Sequence, residues 1–198
     1  MKNLPSSHRK AKPDDAGALA YLINLAGGGL PKYLWGQMAN EGENALDIGR
    51  QRAVRETGGF SYKNAIVREV EGRVAAMLLG EQLPDPYEAG DLTSIPEIVR
   101  PAIELESLAP GSWYINAIAA FPEFQSRGFG TDLLKLAEQL ALGLGAGETS
   151  LIVSEENIRA KALYDRLGYI TKAGRLSIPF EGMGHGGDWL LMVKPLNG

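Results

Sequence analysis

An apolar run, Trp113 to Phe121, passes through Gln125-Ser126-Arg127-Gly128-Phe129-Gly130-Thr131 into an amphipathic run, Asp132 to Leu144. This order of strand, glycine-bearing turn and helix constrains the fold more than any other stretch. The first backbone N–H groups of a helix have no acceptor inside it, and the aligned peptide dipoles add positive potential there. Glycines let the backbone approach an anion with no Cβ in the way. The segment therefore reads as an anion site for a phosphate-bearing ligand. Its ordinary alternative is a strand–helix turn with a solvated Arg127.

Two familiar phosphate loops fit poorly. A P-loop needs a lysine after its last glycine, and none follows Gly130. A dinucleotide fingerprint needs a third glycine, where Leu133 stands, and it normally opens a βαβ unit rather than following a hairpin.

The chain of 198 residues is long enough for one domain with a proper core, and 1–198 is read as one. Its 44 % apolar content argues for a globular protein. The net charge of −4 leaves no electrostatic footprint for nucleic acid. With no cysteine, disulfides, thiolate metal sites and a Cys nucleophile are excluded. His8 and His185 lie far apart, so no metal site is expected. Residues 1–12 carry no apolar signal core, and there is no apolar run of roughly 18 residues. A cytoplasmic protein that does not engage a membrane is the expectation.

Residues 1–8 read as a polar tail and His8 to Lys12 as a brief edge strand ending at Pro13. Asp14 or Asp15 is the expected N-cap of a helix running to about Ala26, closed by Gly27-Gly28-Gly29. Leu19, Leu22, Ile23 and Ala26 form its apolar face. Helices are expected over Pro31–Met38 and part of Asn44–Glu56. Asn64–Val70 and Arg73–Leu79 read as a hairpin turning at Glu71-Gly72. A proline-rich connection follows, Glu81 to Pro110, with a helical stretch at Ile95–Leu108 interrupted by Pro101. It reads as an insertion lining a site or a partner surface, or as a surface excursion. Beyond the anion loop the helix is expected to run from about Gly128 to Gly145, with Leu133, Leu136, Ala137, Leu140 and Leu144 on one stripe. Then come a strand at Thr149–Val153, a helix at Asn157–Leu167 closed by Gly168, and strands at Tyr169–Ile178 and Trp189–Val193 around a Gly-rich loop, Gly182 to Gly187.

Gln125-Ser-Arg127-Gly128-Phe-Gly130 resembles the [QR]-x-x-G-x-[GA] pyrophosphate loop of the GCN5-related N-acetyltransferase (GNAT) superfamily. Ile118-Ala119-Ala120-Phe121-Pro122 resembles that family's apolar strand with its proline before the loop. Asn157-x-x-Ala160-x-x-Leu163-Tyr164-x-x-Leu167-Gly168-Tyr169 is similar to its second motif, N-x-x-A-x-x-[LF]-Y-x-x-x-G-[FY]. The two motifs in order, separated by strand and helix, are far more specific than either alone. The close resemblance covers about 112–170.

The resemblance implies an α/β (α+β) fold: a mixed, mostly antiparallel sheet of about six to seven strands flanked by helices and splayed at a central parallel pair. It implies acetyl-CoA as cosubstrate and direct transfer of the acetyl group to an amine, without a covalent enzyme intermediate. A sensor or interaction domain that binds CoA without transfer is the rival reading.

On this resemblance the backbone from Arg127 to Thr131, with Gln125 and Ser126 leading in, cradles the pyrophosphate, and the Arg127 side chain pairs with a phosphate. Gln125 is equally suited to satisfying the loop's own backbone. Ile118, Ala119 and Ala120 pair through their backbone with the pantetheine arm, and an N–H near Ile118 or Ala119 holds the oxyanion. Otherwise they are central-strand core. Ala160, Leu163, Tyr164 and Leu167 share one helix face. Tyr164 is the expected general acid for the departing thiolate, its alternative being a core aromatic. Ala160 lines the cofactor beside it, and Asn157 caps the helix or bonds the pantetheine.

Many family members use an acid on a central strand as base. Here Tyr114, Asn116, Ile118 and Ala120 alternate to one face and none is a carboxylate. A water held by Asn116 or Tyr114, Glu104 or Glu106 from the connection, and His185 are the remaining candidates. The two glutamates otherwise read as solvated charges and His185 as a surface residue. The acceptor, a small molecule or a protein, stays open, and pairing into a homodimer is an expectation the family carries.

Overall fold

The computed structural model describes residues 4–5 and 7–196. Among these are seven strands and six α-helices. They are β1 (His8–Lys10), α1 (Ala16–Ala26), α2 (Leu30–Met38), α3 (Ala45–Ala53), β2 (Ala65–Val70), β3 (Arg73–Gln82), α4 (Arg100–Glu106), β4 (Trp113–Ala120), α5 (Phe129–Gly143), β5 (Glu148–Ser154), α6 (Ile158–Arg166), β6 (Ile170–Arg175) and β7 (Trp189–Pro195). The sheet order is β1-β2-β3-β4-β5-β7-β6. The β1/β2, β2/β3, β5/β7 and β6/β7 pairs are antiparallel. β4 and β5 are parallel, in register at Trp113↔Thr149, Tyr114↔Ser150 and Ile115↔Leu151. This is the mixed, mostly antiparallel sheet expected from sequence.

The chain divides into two compact units. The first takes the described residues up to Gly80, with Asn116–Leu134 and Phe180–Gly184. Its core gathers Leu19, Leu22 and Ile23 of α1, Trp35 of α2, Val67, Met77 and Leu79 of the hairpin, and Ala117 of β4. Trp35 is 1 % exposed, and it fits only because α3 offers a glycine: a Cβ on Gly49 would stand 2.5 Å from its ring. The hairpin turns where expected, with positive φ at both Glu71 and Gly72, as a two-residue turn matched to strand twist requires.

His8 opens the expected edge strand: it pairs with Arg68 in β1 and is buried. Residues 1–3 and 6 of the expected tail lie outside the described residues. Asp15 precedes α1 but does not cap it. Its carboxylate accepts the Lys12 N–H at 2.8 Å and takes both arms of the Arg9 guanidinium at 2.7 and 3.0 Å. Burial alone would raise the Asp15 pKa, and these bonds hold it below the ordinary carboxylate value.

The second unit takes 81–115, 135–179 and the described residues from His185. β5 and β6 flank β7, and Leu151 and Leu191 are fully buried. A Ser112–Ser150 hydroxyl pair at 2.6 Å and a Thr149–Tyr169 bond at 3.0 Å satisfy the polar atoms of this core. The connection over 81–110 is tied at both ends. Leu83 N–H donates to Ser112 O at 2.9 Å and Gly111 N–H to Pro84 O at 3.2 Å. Pro101 does not interrupt its helix. It sits in the first turn of α4, where a missing N–H costs nothing.

Candidate functional site

In the first unit, β4 delivers the chain to the anion loop. Ala117, Ala119 and Phe121 turn toward the helical core, so Asn116, Ile118 and Ala120 take the opposite face by alternation. Phe121 N–H closes the strand on Ala75 O at 3.0 Å, and a one-turn helix, Pro122–Phe124, leads into the loop.

The first intrahelical bond of α5 is Asp132 N–H to Gly128 O, 3.1 Å. The N–H groups of Phe129, Gly130 and Thr131 come before it and so have no acceptor within the helix. Ser126 has φ +60° and Gly128 φ +82°. Left-handed residues on either side of Arg127 give the kind of turn whose amides converge on an anion. Glycine is demanded at 128 by conformation, since an added Cβ would meet nothing within 4 Å. Ser126 pays the same strain with a side chain, which no sequence pattern announces.

Side chains brace the loop from below. Phe129 stacks on Phe124 at 6.5 Å between centroids, and the Arg68 guanidinium lies 4.3 Å over the Phe129 ring. Arg68 also bonds Asp132 in the first turn of α5. His8 Nε2 lies 3.0 Å from the same carboxylate without the alignment of a full hydrogen bond. Burial holds the His8 pKa below its ordinary value, helped by Arg68 and opposed by Asp132. An acidic residue at a helix N-terminus is favourable in itself, and here it also locks α5 to β1 and β2.

Arg127 is exposed. Its guanidinium donates to Glu123 O at 3.0 Å and lies 5.2 Å from the Phe124 ring centre. Gln125 Nε2 reaches Ala120 O at 3.4 Å.

In the second unit, Asn157 accepts the Ala160 N–H at 3.2 Å and caps α6. The helix ends in a Schellman motif. Gly168, at φ +89°, donates to Asp165 O at 3.0 Å, and Tyr169 N–H donates to Tyr164 O at 3.1 Å. The Tyr164 and Tyr169 rings close the motif at 5.8 Å. The Leu-Gly-Tyr end of the second sequence motif is therefore the device that fixes Tyr164. That residue is 7 % exposed, and burial pushes its pKa up to about 12. Its hydroxyl has no hydrogen-bond partner among the described residues, so it stays protonated at neutral pH with its proton uncommitted.

Of the base candidates in this unit, Glu104 is held by Arg175 at 2.8 Å. Glu106 is not the solvated charge expected. It is half-buried and accepts the Tyr87 hydroxyl at 2.8 Å and the Tyr114 hydroxyl. Burial raises its pKa, with Glu81 adding to the effect and the two phenols opposing it. Glu81, at the end of β3, was no sequence candidate, and its pKa is likewise raised by burial. The charge was visible in the sequence, but its enclosure was not. His185 follows the segment that belongs to the first unit and is exposed, the surface residue expected, beside Gly186, whose N–H donates to Glu156. Among the described residues no three His, Asp or Glu side chains gather as metal ligands, and no helix is long and apolar enough to cross a membrane.

A family model described as the acetyltransferase (GNAT) family matches residues 35–169. No curated protein matches the chain. A solved acetyltransferase is similar at 23 % identity, with a TM-score of 0.65 over 97 % of this chain and 100 % of that one. An N-acetyltransferase from Staphylococcus aureus Mu50 aligns at 21 % identity and a TM-score of 0.62, over 94 % of this chain and 99 % of that one. The Salmonella typhimurium protein yncA, solved with its cofactor acetyl-CoA, aligns at 15 % identity and a TM-score of 0.57, over 96 % and 94 %. At these identities the likeness establishes the fold.

Proposed function

The chain belongs to the acetyltransferase (GNAT) family, and on that premise we propose that it moves an acetyl group from acetyl-CoA to a primary amine by direct attack in a ternary complex. The observation that carries this reading is the loop: three first-turn N–H groups of α5 follow two left-handed residues, Ser126 and Gly128. That backbone suits a pyrophosphate. The acetyl-CoA found with the Salmonella relative supports the same donor.

Residues 127–131 hold the pyrophosphate by backbone. Arg127 serves through its main chain and steadies the preceding turn with its side chain. Gln125 and Ser126 set the loop's shape. Ile118, Ala119 and Ala120 pair with the pantetheine, and an N–H there bonds the oxygen that becomes the oxyanion. The amine nitrogen attacks the thioester carbon and the carbonyl π pair moves to oxygen. As the carbonyl re-forms, the C–S bond breaks and Tyr164 gives its proton to sulfur. Asn157 and Ala160 set the helix turn that carries Tyr164, and Asn116 holds a water near the acceptor. The acceptor is an amine on a small molecule or a protein, and the enzyme pairs as a homodimer.

A thiol-release assay with a panel of amines, run beside competition binding of CoA, ATP and NAD, tests this. CoA binding tightest of the three together with amine-dependent thiol release is the expected outcome. Tight CoA binding with no transfer to any amine would make the chain a CoA-binding module instead.

A further inference from the structure

We propose that Glu106, at the C-terminal end of α4, is the general base of the transfer, taking the proton from the incoming ammonium while Tyr87 and Tyr114 hold its carboxylate in place. This rests on the acetyl-transfer reading and supplies the base that β4 itself lacks.

Three observations converge on this carboxylate. Tyr87 from the connection donates to Oε2 at 2.8 Å, and Tyr114 from β4 bonds it as well. The phenols fix its orientation from two separate elements, and Tyr114 belongs to the strand whose later residues are assigned to the donor. No cation neutralises it among the described residues. α4 packs on β6 and β7, and the basic residues there are committed elsewhere: Arg175 to Glu104 at 2.8 Å, Lys172 to Glu148 at 3.6 Å and Lys194 to Glu138 at 2.7 Å. Glu81 adds a second negative charge from β3. A half-buried carboxylate facing another carboxylate and no cation gains from accepting a proton. It also attracts an ammonium, the form in which an alkylamine arrives. Burial raises the pKa of Glu106 from the ordinary carboxylate value, the direction a base working near neutrality needs.

The step balances. The N–H bond of the ammonium breaks, its proton forms the O–H of neutral Glu106, and the freed nitrogen pair forms the C–N bond. After Tyr164 protonates the thiolate, the second nitrogen proton leaves to solvent, Tyr164 is reprotonated from it, and neutral Glu106 gives its proton to solvent to restore the carboxylate. The sum is ammonium plus thioester giving amide, thiol and one proton.

Two measurements on the full chain test this. Carboxyl-labelled glutamate is titrated by NMR, the Glu106 resonance being the one lost in Glu106→Gln. It is expected to titrate above the surface glutamates and to move higher still in Tyr114→Phe, which removes a bond to the charged form. A resonance titrating with the surface glutamates overturns the proposal. In parallel, kcat/KM against pH is measured with the fastest amine among spermidine, lysine amide, tyramine and a peptide N-terminus. Glu106→Gln should lose about 10²- to 10⁴-fold and the acidic limb of the profile, with acetyl-CoA affinity kept, and Glu106→Asp should restore part of the rate and the limb. An acidic limb that persists unchanged in Glu106→Gln refutes the base role while leaving acetyl transfer standing. Failure of the parent to acetylate any amine, with acetyl-CoA bound, overturns the transferase reading and the base with it.

Discussion

Gly128→Ala and Gly168→Ala impose nearly the same strain at two different places. Gly128 has φ +82° and an added Cβ would meet nothing within 4 Å. Gly168 has φ +89° and the nearest atom to its Cβ would be Lys194 Cε at 3.9 Å, an ordinary contact. Neither change creates a clash, so both costs are the left-handed backbone penalty of about 1–2 kcal/mol. Differential scanning calorimetry should show Tm falling by roughly 2–4 °C per kcal/mol in Gly168→Ala, where the C-cap bonds of α6 hold the turn, and by less in Gly128→Ala, whose loop is free to relax. The functional outcomes should part. The free loop of Gly128→Ala can relax its strain, but binding a pyrophosphate restores the strained turn. Binding therefore loses the same 1–2 kcal/mol, a factor of about 5 to 30 in CoA affinity by titration calorimetry. Gly168→Ala should keep parental CoA affinity and lose turnover, because the Schellman turn that orients Tyr164 is disturbed. Parental CoA affinity in Gly128→Ala, with its Tm close to that of the parent, would refute the reasoning, and equal affinity losses in both variants would do so too.

Other outcomes are equally specific. Tyr164→Phe should reduce kcat by about 10²- to 10⁴-fold with Kd for CoA unchanged; loss of folding would instead mark the ring as core packing. Gly49→Ala should cost about 1–3 kcal/mol by overpacking Trp35, read in urea denaturation, with CoA affinity intact. The His8 pKa is lowered in the folded chain, so unfolding takes up protons on the acid side. Its contribution to stability is full above the unfolded value of 6.5 and is lost as pH falls below it toward the folded pKa. His8→Gln should flatten Tm against pH in that window, and an unchanged slope would remove His8 as its source.

The residues whose roles depend on neighbours in sequence were legible in advance. The strand–glycine–helix order, the Glu71-Gly72 turn and the Asn157 to Gly168 helix are local patterns, each set by capping or by positive φ. What escaped is long-range. Glu106 reads as a surface charge until Tyr87, nineteen residues back, and Tyr114 enclose it. Asp15 reads as an N-cap until Arg9 claims its carboxylate. Arg127 matched the motif, yet its side chain turns back on Glu123 and Phe124, because a motif specifies a backbone and leaves side-chain partners to the fold.

Under the proposed function, acetyl passes from acetyl-CoA directly to an amine. Mass spectrometry of the purified chain incubated with isotope-labelled acetyl-CoA and the amine panel tests it most directly. The expected result is labelled acetyl on an amine, in step with thiol release, and no acetylated protein intermediate that turns over. CoA release without any labelled amine, or label passing first through the protein, would contradict it.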